Sequence, residues 1–257
     1  MITVVTITYN NFEELVKTLN SVPKSADVES VVVNGGNCPK TFEFLKNYNG
    51  IVINEKDKGI SDAFNKGIKK SSGEFIMFLN SGDILIDSSY PVNAEKIFRD
   101  NQEISFIHSN FIFEDNIGGR LLMKPIMKNI GRGMPYFHPT MIVRKSVFSK
   151  TGFFDTDYKI AMDYDFAIKL DKHGIKGYYV SDKAPVVMDG TGKSAEQEYT
   201  AIMECWRALR KNNYLSVTVI LNFGVRIVLY YFRRILVAAG LSSLLSKLKK
   251  IKHKSAV

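Results

Sequence analysis

The polar turn Asn80-Ser81-Gly82-Asp83 closes an apolar run, Phe75-Ile76-Met77-Phe78-Leu79, that follows Glu74. A continuous apolar run bounded by turn residues reads as a strand buried on both faces. In open α/β sheets, ligands bind in the crevice outside the carboxyl ends of the strands. Asp83 stands there, and its carboxylate suits a hard divalent cation that also holds phosphate oxygens. The plainer reading is a polar turn in which Asp83 caps the next helix. Two further stretches carry reactive groups. Asp163-Tyr164-Asp165 opens a helix that contains Phe166, Ile168 and Leu170. Asp189-Gly190-Thr191-Gly192-Lys193-Ser194 is a flexible polar loop of the kind that closes over ligands.

The elements that must position these groups alternate. Thr3 to Thr8 is β-branched and strand-like. Phe12, Leu15, Val16 and Leu19 recur at helical spacing, with Asn11 as N-cap and Glu14 completing a capping box. Glu29 to Val33 is a second strand ending at Asn34-Gly35-Gly36-Asn37. A helix from Pro39 follows, then strand Ile51-Val52-Ile53 and a helix from Ile60 to about Lys70. Strands alternating with helices indicate βαβ units and a parallel sheet with right-handed crossovers. Beyond Asp83 the pattern loosens. It predicts a helix around Asn93–Arg99, a strand at Ile104–His108, and a hairpin between Phe111–Phe113 and Leu121–Met123. Lys176–Val180 reads as the last strand, with Gly174 ending the preceding helix.

The 257 residues suffice for one large α/β domain, or one domain with an appendage. Cys38 and Cys205 form no disulfide framework, which favours a reduced, cytosolic compartment. Met1 runs straight into the first strand with no basic n-region, so no signal peptide is expected. The net charge of +9 is concentrated at one end. From Cys205 onward there is no Asp or Glu, while the remainder carries 24 bases against 26 acids. Leu215 to about Ala239 is apolar but interrupted by Asn222, Arg226, Arg233 and Arg234, which disfavours a membrane span. Leu244, Leu245 and Leu248 alternate with Lys247, Lys249 and Lys250, as in an interfacial helix on anionic lipid. A helix packed on the domain and a nucleic-acid patch are the competing readings. The tail lacks the interleaved aromatic and glycine pattern of nucleic-acid modules, so no nucleic-acid partner is expected.

Taken in order, six stretches resemble glycosyltransferase family 2, the GT-A fold, in its bacterial surface-polysaccharide branch. They are Thr6–Asn10, Val31–Gly36, Asp57–Gly67, Ser72–Asp83, His138-Pro139 and Ala161–Asp165, within about residues 2–195. The resemblance implies an α/β fold: a single Rossmann-like mixed sheet flanked by helices, residues 1–200. Residues 201–257 would be a basic, amphipathic, membrane-associating helical extension. It implies an inverting glycosyltransferase on the cytoplasmic side of the inner membrane, held there peripherally. The donor would be a nucleotide sugar, UDP-linked, and the acceptor a lipid-linked glycan. Manganese or magnesium would sit at Asp83. Where the family carries Asp-x-Asp, this chain has Asn80 and Gly82, followed by Asp83. Thr8, Tyr9 and Asn10 would approach the base and ribose, together with Asn34 and Gly35. Asn34 replaces an Asp that commonly reads uracil, and an amide still offers a donor and an acceptor. Lys58, Asp62, Asn65 and Ser81 would complete the donor face. Phe64 stands where the family often has Arg.

By the same resemblance Asp163 is the base that takes the acceptor proton, and the helix dipole at its position favours the ionised form. His138, Asp165 and Lys193 are candidates to touch the acceptor or the diphosphate. For His138 the structural alternative is a histidine fixed before Pro139, and for Asp62 and Asn65 it is helix capping and surface solvation. Two rival functions share the domain. One is a transferase acting on polyprenyl phosphate, and the other a non-catalytic, membrane-tethered nucleotide-binding homologue. No Gly-x-Gly-x-x-Gly follows the first strand, which excludes a dinucleotide-binding dehydrogenase.

Overall fold

The computed structural model describes residues 1–114, 119–125, 130–189 and 197–240. Its first half alternates as the sequence predicts. Strands β1 (Ile2–Thr8), β2 (Val28–Asn34), β3 (Ile51–Asn54) and β4 (Phe75–Asn80) are joined through helices α1 (Phe12–Ser21), α2 (Pro39–Lys46) and α3 (Ile60–Lys70). The second half adds β5 (Ile84–Leu85), α4 (Tyr90–Asp100), β6 (Phe106–Ser109), β7 (Phe111–Glu114) and β8 (Arg120–Met123). There follow β9 (Ile142–Arg144), α5 (Val147–Thr151), α6 (Met162–Lys172), β10 (Gly177–Val180) and β11 (Val186–Asp189). Two helices close the described chain, α7 (Glu198–Lys211) and α8 (Val217–Ala238).

The central sheet has seven strands in the order β10-β6-β9-β4-β1-β2-β3. Only β9 runs against the others. β1 is buried at every position, because both faces of the sheet are covered. Val5, Val31, Ile76 and Phe78 pack on the side of α3, α5, α6 and α7. Val4, Met77, Leu79 and Ile107 pack on the side of α4. The predicted hairpin forms, with Phe111 opposite Met123 and Glu114 opposite Arg120. It does not widen the central sheet. It joins a second, four-stranded sheet in the order β5-β11-β7-β8. The strand at Lys176–Val180 is therefore not the last. β11 follows it and bridges β5 to β7.

Local chemistry explains the helix ends. Gly174 N bonds to Asp171 O and Ile175 N to Leu170 O, closing α6 as a Schellman motif. The capping box at α1 does not form. Asn11 turns its Oδ1 back to accept from Thr8 Oγ1 at 2.6 Å and Tyr9 N at 3.3 Å, and Glu14 pairs with Lys17. Nor is residue 200 a break in packing. Ala208 and Leu209 of α7 and Val219 of α8 lie in the same buried cluster as the sheet.

Candidate active site

Four loops at the carboxyl ends of the parallel strands are stitched together. After β1, Asn10 takes a left-handed backbone (φ 55°) and its Oδ1 accepts from Asn37 N and Cys38 N at 2.7 and 3.0 Å. Asn10 thus anchors the loop after β2. Gly35 lets the loop after β3 close in, since a Cβ there would lie 1.6 Å from Asp57 Oδ2. Ser81 ties the loop after β4 to the first loop, through Ser81 N to Ile7 O and Ser81 Oγ to Asn11 O. Thr8 is buried and its hydroxyl holds Asn11. Tyr9 differs from all of these. Its side chain stands 60% exposed at the crevice, a flat surface for a planar ligand.

The turn after β4 is built around Asp83. Asp83 N bonds back to Asn80 O, and Gly82 takes φ 111°, as the third residue of a type II turn requires. Asp83 Oδ2 accepts from Asn80 N at 2.9 Å and Asn80 Nδ2 at 3.3 Å. The carboxylate is only 4% exposed. Among the described residues no three His, Cys, Asp or Glu side chains converge on a metal site. The oxygen donors present, one carboxylate with neighbouring amide and hydroxyl, fit a hard cation that takes its other ligands from phosphate and water.

Asp163 arrives from the helix side. The chain passes from α6 into β10, which runs parallel to β6, so the start of α6 lies at the carboxyl ends of the strands. Asp163 is half-buried in the first turn, and Tyr164 N donates to its Oδ1 at 2.7 Å. Burial raises its pKa from 3.8 to about 6, against the pull of the Tyr164 and Asp163 amides. A carboxylate so placed is ionised at neutral pH yet basic enough to accept a proton from a hydroxyl as it attacks.

The residue that fixes this turn was not visible in the sequence. Glu204 of α7 is 8% exposed, and its two oxygens accept from Lys159 N, Ile160 N and Ala161 N at 2.9, 2.8 and 2.9 Å. It satisfies the backbone donors leading into α6, one turn ahead of Asp163. Its only sequence signal is that it is the last acid in the chain. Glu204→Ala leaves three amides without that partner and is expected to cost on the order of 3 kcal/mol. A denaturant melt measures the loss, and Glu204→Gln should recover part of it.

Several candidate ligand contacts are occupied by the protein itself. Asn34 is 1% exposed; its Nδ2 donates to Asn54 Oδ1, and its Oδ1 accepts from Gly36 N. Its amide shapes the turn and offers no free edge to a base. Asn65 is clamped at both ends to the Phe154 backbone, at 2.8 and 3.0 Å. Asp62 accepts from Lys58 N at 3.0 Å and lies 3.5 Å from Lys66 Nζ, capping α3 and leaving the Lys58 side chain exposed. His138 is packed among aromatic rings, 4.9 Å from Phe78 in a stacked pair and 5.2 Å from Phe64. Burial lowers its pKa to about 3, so it is neutral and serves packing. Asp165 points into the core, where it pairs with Lys169 at 2.8 Å and accepts from Asn212. Lys193 lies outside the described residues.

Comparison with known proteins identifies the family and the fold. Residues 3–154 match the family profile "Glycosyl transferase family 2". A "PGL/p-HBAD biosynthesis glycosyltransferase" of Mycobacterium bovis is 24% identical over 185 residues, covering 66% of this chain and 69% of the relative. The crystal structure of S. aureus TarS in complex with UDP-GlcNAc superposes with a TM-score of 0.66 at 20% identity, over 82% of this chain and 65% of that one. The mannosyltransferase PcManGT of Pyrobaculum calidifontis, in complex with GDP-Man and Mn2+, gives a TM-score of 0.61 at 17% identity, over 97% of this chain and 79% of that one. The stitched loops over the parallel strands, the carboxylate at the end of β4 and the family match covering more than half the length have one reading: this chain is a GT-A glycosyltransferase and belongs to glycosyl transferase family 2.

Proposed function

We propose that the protein transfers a sugar, with inversion, from a nucleotide sugar to a hydroxyl of a lipid-linked glycan in bacterial polysaccharide assembly of the O-antigen or capsule type. The observation that carries this reading is Asp163, a half-buried carboxylate raised to about 6 at the carboxyl edge of the sheet and anchored through Glu204. The acceptor hydroxyl gives its proton to Asp163. Its oxygen bonds to the anomeric carbon as the bond to the diphosphate breaks on the opposite face. One base and direct attack make inversion the outcome, with no second catalytic carboxylate needed.

Tyr9 supplies the surface for the base, and Asn10 and Gly35 the turn geometry beside it. UDP is the favoured leaving group, because the TarS structure holds UDP-GlcNAc at similar fold geometry. Asp83, Asn80 and Ser81 would hold a divalent cation, Mn or Mg, that neutralises charge on the departing diphosphate. The manganese in the Pyrobaculum neighbour supports this. Calorimetry with UDP, GDP and ADP, each with and without manganese, tests the donor site. Tight binding of one nucleotide that strengthens with metal is the expected result. Binding that metal does not strengthen would favour the non-catalytic nucleotide-binding homologue, and no binding of any of them would contradict the donor site.

The acceptor reading rests on α8. No helix among the described residues is long and apolar enough to cross a membrane. Yet much of the exposed surface of α8 is apolar. Val217, Leu221, Val228 and Ile235 form one stripe and are 65 to 74% exposed. Arg233 bonds Glu198 of α7, and Arg234, itself exposed, bonds Tyr230 Oη one turn back on the same helix. The apolar stripe would lie in the interface of an anionic bilayer, while the lysine-rich segment from 244 to 254 lies outside the described residues. Deleting residues from 215 onward would also remove Val219 from the core, so point substitution is the cleaner probe. Leu221→Glu with Val228→Glu should cut sedimentation with phosphatidylglycerol vesicles by about tenfold or more, since each buries a charge among lipid. Unchanged sedimentation, or conversion of a dimer to monomer in light scattering, would overturn the membrane assignment.

A further inference from the structure

A second cleft opens on the α6 side of the central sheet, at the opposite end from the crevice. Its volume is about 420 Å³, within the range of small-ligand sites. Phe106 begins β6, and Gly177, paired with it in register, begins β10; both line the cleft. It therefore lies at the amino ends of these strands. Asp171 stands at its rim, in the last turn of α6. Asp163 is eight residues earlier on that helix, about 12 Å away along the axis. The cleft is thus distinct from the place where Asp163 acts.

Four rings form its walls. Tyr136 meets Phe106 edge-on at 4.7 Å and His108 at 5.0 Å, and Tyr214 closes the other side. Polar atoms converge between them. The Tyr214 hydroxyl donates to Asp171 Oδ2 at 2.5 Å. Burial raises the pKa of both Tyr136 and Tyr214, and Asp171 adds to it through its charge at Tyr136 and first through its hydrogen bond at Tyr214. So the two phenols stand around one carboxylate. His108 is the telling group. It is 1% exposed, and its Nδ1 has no hydrogen-bond partner among the described residues. Buried polar groups in folded proteins are almost always partnered, and this nitrogen, unpartnered within the wall of the cleft, is an exception. Burial also keeps this imidazole neutral, with a pKa near 4.

The chemistry of the lining selects the ligand. Among the described residues neither lysine nor arginine lines the cleft, which argues against phosphate, a nucleotide or a carboxylate. Neutral phenols, a neutral imidazole and one carboxylate offer donors and acceptors around flat apolar walls. A pyranose ring presents the complement: an apolar C–H face to stack, and hydroxyls at its edge. We propose that this cleft binds a hexopyranose unit of a glycan, at a site separate from that of sugar transfer. The sugar bound there is a recognised residue of the glycan, not one of the two that react.

The test uses the full chain and no turnover, so its outcome stands apart from that of the transfer reaction. Methyl glycosides of glucose, galactose, mannose and N-acetylglucosamine are offered singly, with excess UDP present, and followed by saturation-transfer NMR. At least one glycoside should show transfer, with the same intensity in Asp163→Asn. Tyr136→Ala should abolish it. His108→Phe, which keeps a stacking ring but removes the nitrogens, should weaken binding about tenfold. Tyr136→Phe, a single-atom change, checks any variant that melts early. Three results would overturn the proposal: no glycoside binding, binding that UDP displaces, or binding indifferent to both His108→Phe and Tyr136→Phe. Binding of tetramethylammonium in place of sugars would also overturn it, by making the cleft an aromatic cage for cations.

Discussion

Asp163→Asn is expected to abolish sugar transfer and, at the same time, to stabilise the fold. The loss of rate follows from removing the base, whose contribution is typically 10² to 10⁴-fold. The gain in stability follows from the direction of the pKa shift. The folded protein holds Asp163 at about 6, against an ordinary 3.8, so folding disfavours the charged form. For an acid shifted upward, stability is lost as pH rises from about 4 to about 6 and stays lost above. The full shift corresponds to about 3 kcal/mol, and partial solvent exposure reduces this to about 2 kcal/mol. An amide of the same shape carries no such cost. The variant should therefore melt higher than the wild type at pH 7, and the difference should vanish near pH 4. Thermal melts at the two pH values measure it. A residue with a merely structural role would give the opposite sign. Wild-type turnover should fall as pH drops below about 6, where Asp163 becomes protonated.

The second large effect belongs to Asp83. Its Oδ2 latches Asn80 N, so Asp83→Ala would disturb the turn as well as any bound cation. Asp83→Asn keeps an oxygen for that latch and removes the charge. Nucleotide binding without metal should change little in this variant. The strengthening by manganese should fall by about tenfold or more, since the cation loses its one protein carboxylate there. Titration calorimetry with and without manganese separates the two effects. A variant still strengthened by metal to the wild-type extent would show that Asp83 serves the turn alone.

Much of the first half was legible because its signals are local. Apolar runs such as Phe75–Leu79 end in turn residues, and α3 shows its face through Ala63, Phe64 and Ile68. The position of Asp163 at the start of α6 could be read the same way. The second sheet could not, because β5 has two residues and β11 four, too few to show a period. The roles of the amides of Asn34 and Asn65 were not legible for a different reason. An asparagine that clamps backbone has the same sequence signature as one that meets a ligand. Glu204 escaped because its partners are 43 to 45 residues away. In the sequence the arginines of α8 interrupt an apolar run and disfavour a membrane span, which hides the exposed apolar stripe; in the fold Arg226 lies near Cys205 and Tyr164, while Arg233 and Arg234 bond Glu198 and Tyr230.

The measurement that bears most directly on the central claim is nucleotide release from a panel of nucleotide sugars, comparing wild type with Asp163→Asn. Without acceptor, donor hydrolysis is slow but specific, and water takes the place of the acceptor hydroxyl. The account predicts release of one nucleotide from one sugar donor, dependent on divalent metal and lost in Asp163→Asn. Equal release by the two proteins would contradict the assignment of Asp163 as the base. No release and no metal-strengthened binding across the panel would contradict the reading of the site as a sugar-transfer centre.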